Sequence, residues 1–171
     1  KLPACGVMFG LAERALFRYS PADKDKKATV EQIKIEGPAL SSALDTFEPN
    51  QDGSKIAIFG DRGAVSVISL DSAKDSGKVT VLEKPVPDGA EVSLTGSFGC
   101  APRWRNANEL CFSVRNLDKA SAHGGDVVLQ DVQNLSTLQE SGQGSPLPGR
   151  QVLSRNWPVG QIDFLKVVKS T

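Results

Sequence analysis

His123 is the one histidine in the chain and so the one side chain with an unperturbed pKa suited to proton transfer near neutral pH. It lies in the stretch SAHGGD, with Ser121 two residues before it and Asp126 three after. A Ser–His–Asp relay needs an imidazole that bridges nucleophile and carboxylate, and those groups come from separate elements of a fold. Three near neighbours in one polar loop do not meet that need, so His123 reads as a solvated residue at a hairpin tip. No G-x-S-x-G elbow supplies another nucleophile, since GSFGC (96–100) and GQGSPLPG (142–149) both lack the pattern. A single histidine also excludes a multi-histidine metal centre within this chain.

Oxygen ligands are the next candidates. Asn50, Asp52 and Ser54 flank Gly53 in NQDGS, and alternating oxygens beside a glycine can open a calcium loop. The bidentate glutamate that completes such a loop is missing at its expected distance, and Asp61 is the remaining acidic candidate. The better reading is a turn, with Asn50 and Asp52 tolerating turn geometry and Gly53 taking a positive φ. Gly96 and Gly99 in TGSFG are not followed by the Gly-Lys-Ser/Thr of a phosphate cradle, and they read as a loop between units. The triplet Arg103-Trp104-Arg105 joins an aromatic ring to two cations, but alternation along a strand sends Trp104 to one face and both arginines to the other. Lys24–Lys27 (KDKK) is a solvated charge run. Asn134-Leu135-Ser136 is an N-glycosylation sequon, which matters only in a secreted protein. The expectation is therefore no catalytic, no cofactor-binding and no metal-ligating residue, and no cofactor.

Composition bounds the partners. In 171 residues there are 20 Lys plus Arg against 20 Asp plus Glu, and this zero balance argues against nucleic acid and anionic membranes as partners. Hydrophobic residues at 39% and charged residues at 23% are the mix of a globular domain with one core, and no run of 18 apolar residues is present for membrane insertion. The chain opens at Lys1 without a leader pattern, so either a leader has been removed or this is an excised piece of a larger protein, and the chain's internal repeat favours the second. The three cysteines, Cys5, Cys100 and Cys111, have no close CxxC spacing. Cys111 falls in an apolar strand pattern and reads as a buried thiol, with a Cys100–Cys111 disulfide as the alternative. The compartment stays open.

The elements that would position these residues are strands. SKIAIFG (54–60) is apolar on both faces, with Ile56 and Ile58 opposite Ala57 and Phe59, as in a strand between stacked sheets. PNQDG precedes it as a turn, and ALSSALDTF before that turn reads as an inner strand. The short DRG link leads to AVSVISLD, which predicts an antiparallel hairpin, and KVTVLEKP adds another strand. The pattern recurs. RNAN stands in the place of PNQDG, and ELCFSV matches KIAIFG 54 residues later. Within GDVVLQDV and AVSVISLD, VVLQDV matches VSVISL 62 residues later, the difference lying in a longer hairpin loop. NLSTLQESG is the counterpart of KVTVLEKP. Upstream, ALFRYS and VEQIKI read as middle strands of an earlier unit, and downstream QIDFLKVV reads as one more strand.

A period of about 40 to 60 residues with three or four strands per unit is the pattern of β-propeller blades, which bury their faces against one another. FEPNQDGSKIAIFGDRGAVSVISLD and APRWRNANELCFSVRN…GDVVLQDVQN resemble the blades of TolB-like and WD40-like propellers over residues 40 to 135. The Trp-Asp and Gly-His dipeptides of WD40 repeats are absent, and RNANE lacks the Asp-Gly pair. The expected fold is all-β: antiparallel four-stranded blades in a partial propeller of about three blades, a fragment of a larger ring or half of a two-chain one, with a non-propeller stack of sheets as the third outcome. Its units are residues 1–38, 39–86 and 90–140, with another beginning at 150–171. The function this implies is a non-catalytic, protein-binding scaffold with a protein or peptide partner. The alternatives are an accessory propeller of a larger enzyme, such as a serine peptidase, and a sheet domain binding calcium or a small ligand. The ring would be completed by a second copy or by the rest of the parent chain.

Overall fold

The computed structural model of the chain describes residues 8–12, 15–22, 24–38, 44–60, 63–71, 73–74, 76–85, 102–115, 123–135 and 147–158. All regular elements among them are strands: β1 (Met8–Ala12), β2 (Ala15–Ser20), β3 (Thr29–Glu36), β4 (Leu44–Pro49), β5 (Lys55–Gly60), β6 (Val65–Asp71), β7 (Ser76–Glu83), β8 (Arg103–Trp104), β9 (Glu109–Arg115), β10 (His123–Asp131) and β11 (Arg150–Pro158). The fold is all-β, as the alternating patterns require. No helix among the described residues is long and apolar enough to cross a membrane.

β4–β5–β6–β7 and β8–β9–β10–β11 are each an antiparallel meander of four strands. Their registers repeat the sequence offsets. Ile56 faces Ile68 across β5 and β6, and Leu110 faces Gln130 across β9 and β10. On the outer strands, Ser66 pairs with Val81 and Val65 with Glu83, so the ladder skips Leu82. Val128 pairs with Val152 and Val127 with Ser154, so the second meander skips Leu153 in the same way. Each bulge inserts one residue that bends the outer strand.

Two features depart from the sequence reading. The outer strand of the second meander is Arg150–Pro158, not the segment at 134–142, and it is reached through the tight turn at Pro148-Gly149. The first three strands do not form a sheet of their own. β1–β2–β3 is antiparallel, and Lys34–Glu36 of β3 then pairs in parallel with Ser76–Lys78 of β7, giving one seven-stranded sheet. Gly37 makes this junction possible. Its φ is 111°, and a Cβ there would lie 2.9 Å from the Val79 carbonyl oxygen. QIDFLKVV (161–168) lies outside the described residues.

The middle meander is buried on both faces, as the two-faced apolar pattern of β5 predicts. On one side Leu16, Ile33, Ile56, Ile58, Ile68 and Val79 form a core lining one face of the curled seven-stranded sheet. On the other side Ala57, Phe59, Val65, Val67 and Leu82 pack against Trp104, Leu110, Phe112 and Val128 of the second sheet. Burying apolar area at about 25 cal/mol per Å² makes this sheet-on-sheet layer the main favourable term holding the two meanders together. On the far face of the second sheet, Cys111 clusters with Val127 and Leu129 as a small hydrophobe. Cys5 and Cys100 lie outside the described residues.

Candidate functional site

Asn50, Arg103 and Trp104, singled out in the sequence, meet at the seam between the two sheets. Asn50 closes its turn from both sides. Its N–H donates to the Lys55 carbonyl at 2.8 Å, and its side-chain oxygen accepts the Lys55 N–H at 3.0 Å. Gly53, at φ 73°, lets the chain reverse, and Asp52 accepts the Ser54 N–H at 2.9 Å. This is the turn chemistry read from NQDGS. The Asp52 carboxyl is held below the usual aspartate range by the Ser54 hydroxyl and then the Ser54 N–H, so the carboxylate is the form that the turn itself uses.

RNAN reaches the same geometry without a glycine because its turn is one residue shorter. Arg105 N–H donates to the Glu109 carbonyl at 2.9 Å, and Asn106 takes the place of Asp52 by accepting the Asn108 N–H at 2.8 Å. The two turns are then tied across the seam. Asn50, 5% exposed, donates through Nδ2 to the Ala107 carbonyl at 2.9 Å, and Lys55 Nζ donates to Asn108 Oδ1 at 3.0 Å. Glu48 gathers two further donors from the second sheet. Trp104 Nε1–H donates to its carbonyl at 2.8 Å, and Arg103 Nη1 donates to its carboxylate at 2.7 Å. Trp104 is buried with its indole tip satisfied, while Arg105 stays exposed and pairs with Glu109.

A second polar cluster lies across the same interface. The Arg150 side chain is 9% exposed. It donates to the Glu83 carboxylate, to Gln130 Oε1 at 2.9 Å and to the Leu82 carbonyl at 3.2 Å, and it stands 5.4 Å over the Phe112 ring. Gln130, fully buried, donates in turn to the Pro148 carbonyl at 2.7 Å and to the Asp131 carbonyl at 3.0 Å. One guanidinium thus binds β7, β10 and β11 together, using the fork geometry that lysine lacks. Sequence reasoning passed over Arg150, Gln130, Glu83 and Glu48. A signal was present, since VVLQD places a glutamine inside an apolar strand and an arginine opens the next strand.

The remaining candidates are dispersed. His123 is the first residue of β10, opposite Pro158, rather than a loop tip, and Ser121 lies outside the described residues. Asp126 sits within β10 opposite Val114. Asp61, Gly96 and Gly99 also fall outside the described residues. Among the described residues no group of three His, Cys, Asp or Glu side chains is placed to hold a metal ion. Lys24, Lys26 and Lys27 are exposed, and Asn134 is exposed in a turn. Both polar clusters are filled by their own hydrogen bonds, with no nucleophile set beside a base. Their chemistry is positional: each fixes how one sheet sits on the other.

No family model matches the chain, and no curated protein matches it. A search of solved structures finds similarity to a crystal structure from Bacteroides uniformis provisionally named a 6-phosphogluconolactonase. The identity is 15% and the TM-score 0.42, over 87% of this chain and 38% of that one. The chain therefore spans well under half the length of that structure, and at this distance the likeness carries neither an activity nor a family.

Proposed function

We propose that this chain is a β-propeller-type segment that works as a non-catalytic interaction scaffold, with a protein or peptide as its partner. The observation that carries this reading is how the buried polar groups are used. Arg150 and Asn50 join sheet to sheet and Gln130 holds Arg150 in place from within the second sheet, with an array of exposed turns at one end of the meanders. Four turns stand there, closed alike by a side-chain oxygen that accepts the N–H two residues on: Asp52 to Ser54, Asp71 to Ala73, Asn106 to Asn108 and Asp131 to Gln133. Such turns hold their backbone in place without a core of their own. They display Gln51, Asp52, Lys74, Arg105, Asn106 and Gln133 to solvent. Loops fixed on a stiff sheet scaffold are a common place for binding, and a mixed-sign set on a chain of zero net charge suits a polar protein surface better than a polyanion.

The test is cross-linking with mass spectrometry on the intact chain in an extract of its source cells. It is repeated with Asp52→Lys plus Asn106→Glu, which alter charge at the turn end and leave both cores untouched. A partner whose cross-links map to the turn end and disappear in the double variant supports the reading. Turnover of a substrate by the isolated chain, with no partner captured, overturns it.

A further inference from the structure

The middle meander is held differently on its two faces. Against the second sheet it is tied by polar groups as well as by apolar packing. Arg150 reaches Glu83 and the Leu82 carbonyl, Trp104 and Arg103 reach Glu48, and Asn50 reaches the Ala107 carbonyl. Against β1–β2–β3 its cover is apolar. Leu16 and Ile33 are buried with Ile56, Ile58, Ile68 and Val79, and Ile35 packs beside them. The ion pairs Arg18–Glu31 and Lys34–Glu36 lie within those three strands. The backbone ladder between the two parts is Lys34–Glu36 against Ser76–Lys78, a short parallel stretch, and parallel pairing is the weaker kind per residue. The chain leaves that stretch at Gly37, whose φ of 111° suits glycine, and Pro38 follows. Once the ladder parts, a glycine takes other backbone wells at little cost.

We infer that β1–β2–β3 is a strap that swings off the middle meander about Gly37 while the seam between the meanders stays shut. Opening uncovers two things at once: the Ser76–Lys78 edge of β7, and the face formed by Ile56, Ile58, Ile68 and Val79. Closed, the strap shields an edge and an apolar face that would otherwise invite association. The polar ties set the order of opening. Lifting the strap gives up an apolar layer and a short ladder. Parting the seam gives up an apolar layer and, with it, the hydrogen bonds of Arg150, Arg103, Trp104 and Asn50. Strap opening is therefore a sub-global event that comes before global unfolding.

The test places a thiol under each cover from the same strand. Val67 and Ile68 are neighbours on β6 and both are fully buried, Ile68 on the strap side and Val67 on the side of the second sheet. Ile68→Cys and Val67→Cys are labelled with a thiol reagent in the full chain below its urea transition, and labelling is read peptide by peptide by mass spectrometry. Each net hydrogen bond adds a factor of about five, so three of the seam's bonds alone make labelling at position 68 faster than at position 67 on the order of a hundredfold. Its urea slope is shallower than that of the circular dichroism transition, because less surface opens. A lock then compares Ile68→Cys with itself, so the unequal costs of the two substitutions drop out. Glu36 and Lys78 are exposed partners across the parallel ladder, and neighbouring strands stand within disulfide reach. Glu36→Cys with Lys78→Cys, once oxidised, slows labelling at position 68 to the rate at position 67, and reduction restores it. Rates at the two positions within about twofold of each other, or a formed lock that leaves labelling at position 68 unchanged, overturn the inference.

Discussion

Replacing Arg150 is the sharpest test of whether the buried polar cluster holds the two sheets together. Arg150→Ala removes a guanidinium with a 9% exposed side chain and strands three acceptors: the Glu83 carboxylate, Gln130 Oε1 and the Leu82 carbonyl. Breaking a buried ion pair by removing one partner costs about 3–5 kcal/mol. Glu83 keeps 23% of its side-chain surface, so water recovers part of its solvation and the lower end applies. A separate count agrees. Two neutral acceptors left unsatisfied at about 1 kcal/mol each, plus about 1 kcal/mol for the lost stacking on Phe112, again total about 3 kcal/mol. With a urea dependence of about 2 kcal/mol per molar, the midpoint falls by about 1.5 M, read by circular dichroism of the strand signal. Arg150→Lys keeps the charge but cannot serve three acceptors at once, so it loses about half as much. Arg150→Met with Glu83→Gln loses less than the sum of the two single changes, because the uncompensated carboxylate is gone. A midpoint for Arg150→Ala within about 0.3 M of wild type, or strict additivity in the pair, would refute the clamp.

Other consequences follow from single contacts. Gly37→Ala forces a φ of 111° on a residue with a Cβ and presses that Cβ to 2.9 Å from the Val79 carbonyl. It should cost about 1–3 kcal/mol in urea unfolding, with faster amide exchange along the β3–β7 junction. Phe112→Ala empties the middle of the layer between the sheets, where the ring is fully buried, and should cost about 3–5 kcal/mol by the same assay. Trp104→Phe keeps most of the packing but leaves the Glu48 carbonyl without its indole donor, a loss of about 1–2 kcal/mol. Asp52 and Asp71 both titrate below the usual aspartate range, held by Ser54 and by Lys74 respectively. Their contribution is full above the unfolded aspartate value of about 4 and is lost as pH falls through the lower folded values. Urea midpoints taken from pH 5 to pH 2 should fall more steeply for wild type than for Asp52→Asn with Asp71→Asn.

Much of the first meander, and the inner strands of the second, was legible in the residue order. Ile56 and Ile58 against Ala57 and Phe59 announce a strand with no solvent face, and both sets are buried in different cores. NQDG announces its turn, and RNAN is harder to read because a shorter loop lets Asn106 do the work of Asp52 without a glycine. The Arg103-Trp104-Arg105 triplet shows alternation with a twist. Trp104 goes to the core as expected, yet its indole and Arg103 both end at Glu48, since the second sheet lies against that strand. Arg150 and Gln130 were invisible as a pair because twenty residues and a tight turn separate them along the chain.

What the order of residues determined by itself is local: strands rather than helices, which side of each strand is apolar, where the chain turns, and a repeat with offsets of 54 and 62 residues. These follow from backbone sterics and side-chain alternation, which act within a few residues. What only the tertiary structure decided is which edges and faces meet. Lys34–Glu36 joins β7 in parallel, Arg150–Pro158 rather than 134–142 closes the second meander, and Arg150 reaches Glu83. Those choices turn on burial and on hydrogen bonds left over once each strand has formed. A strand's own sequence specifies its faces, but its partner is settled by the competition among all the edges the chain brings together.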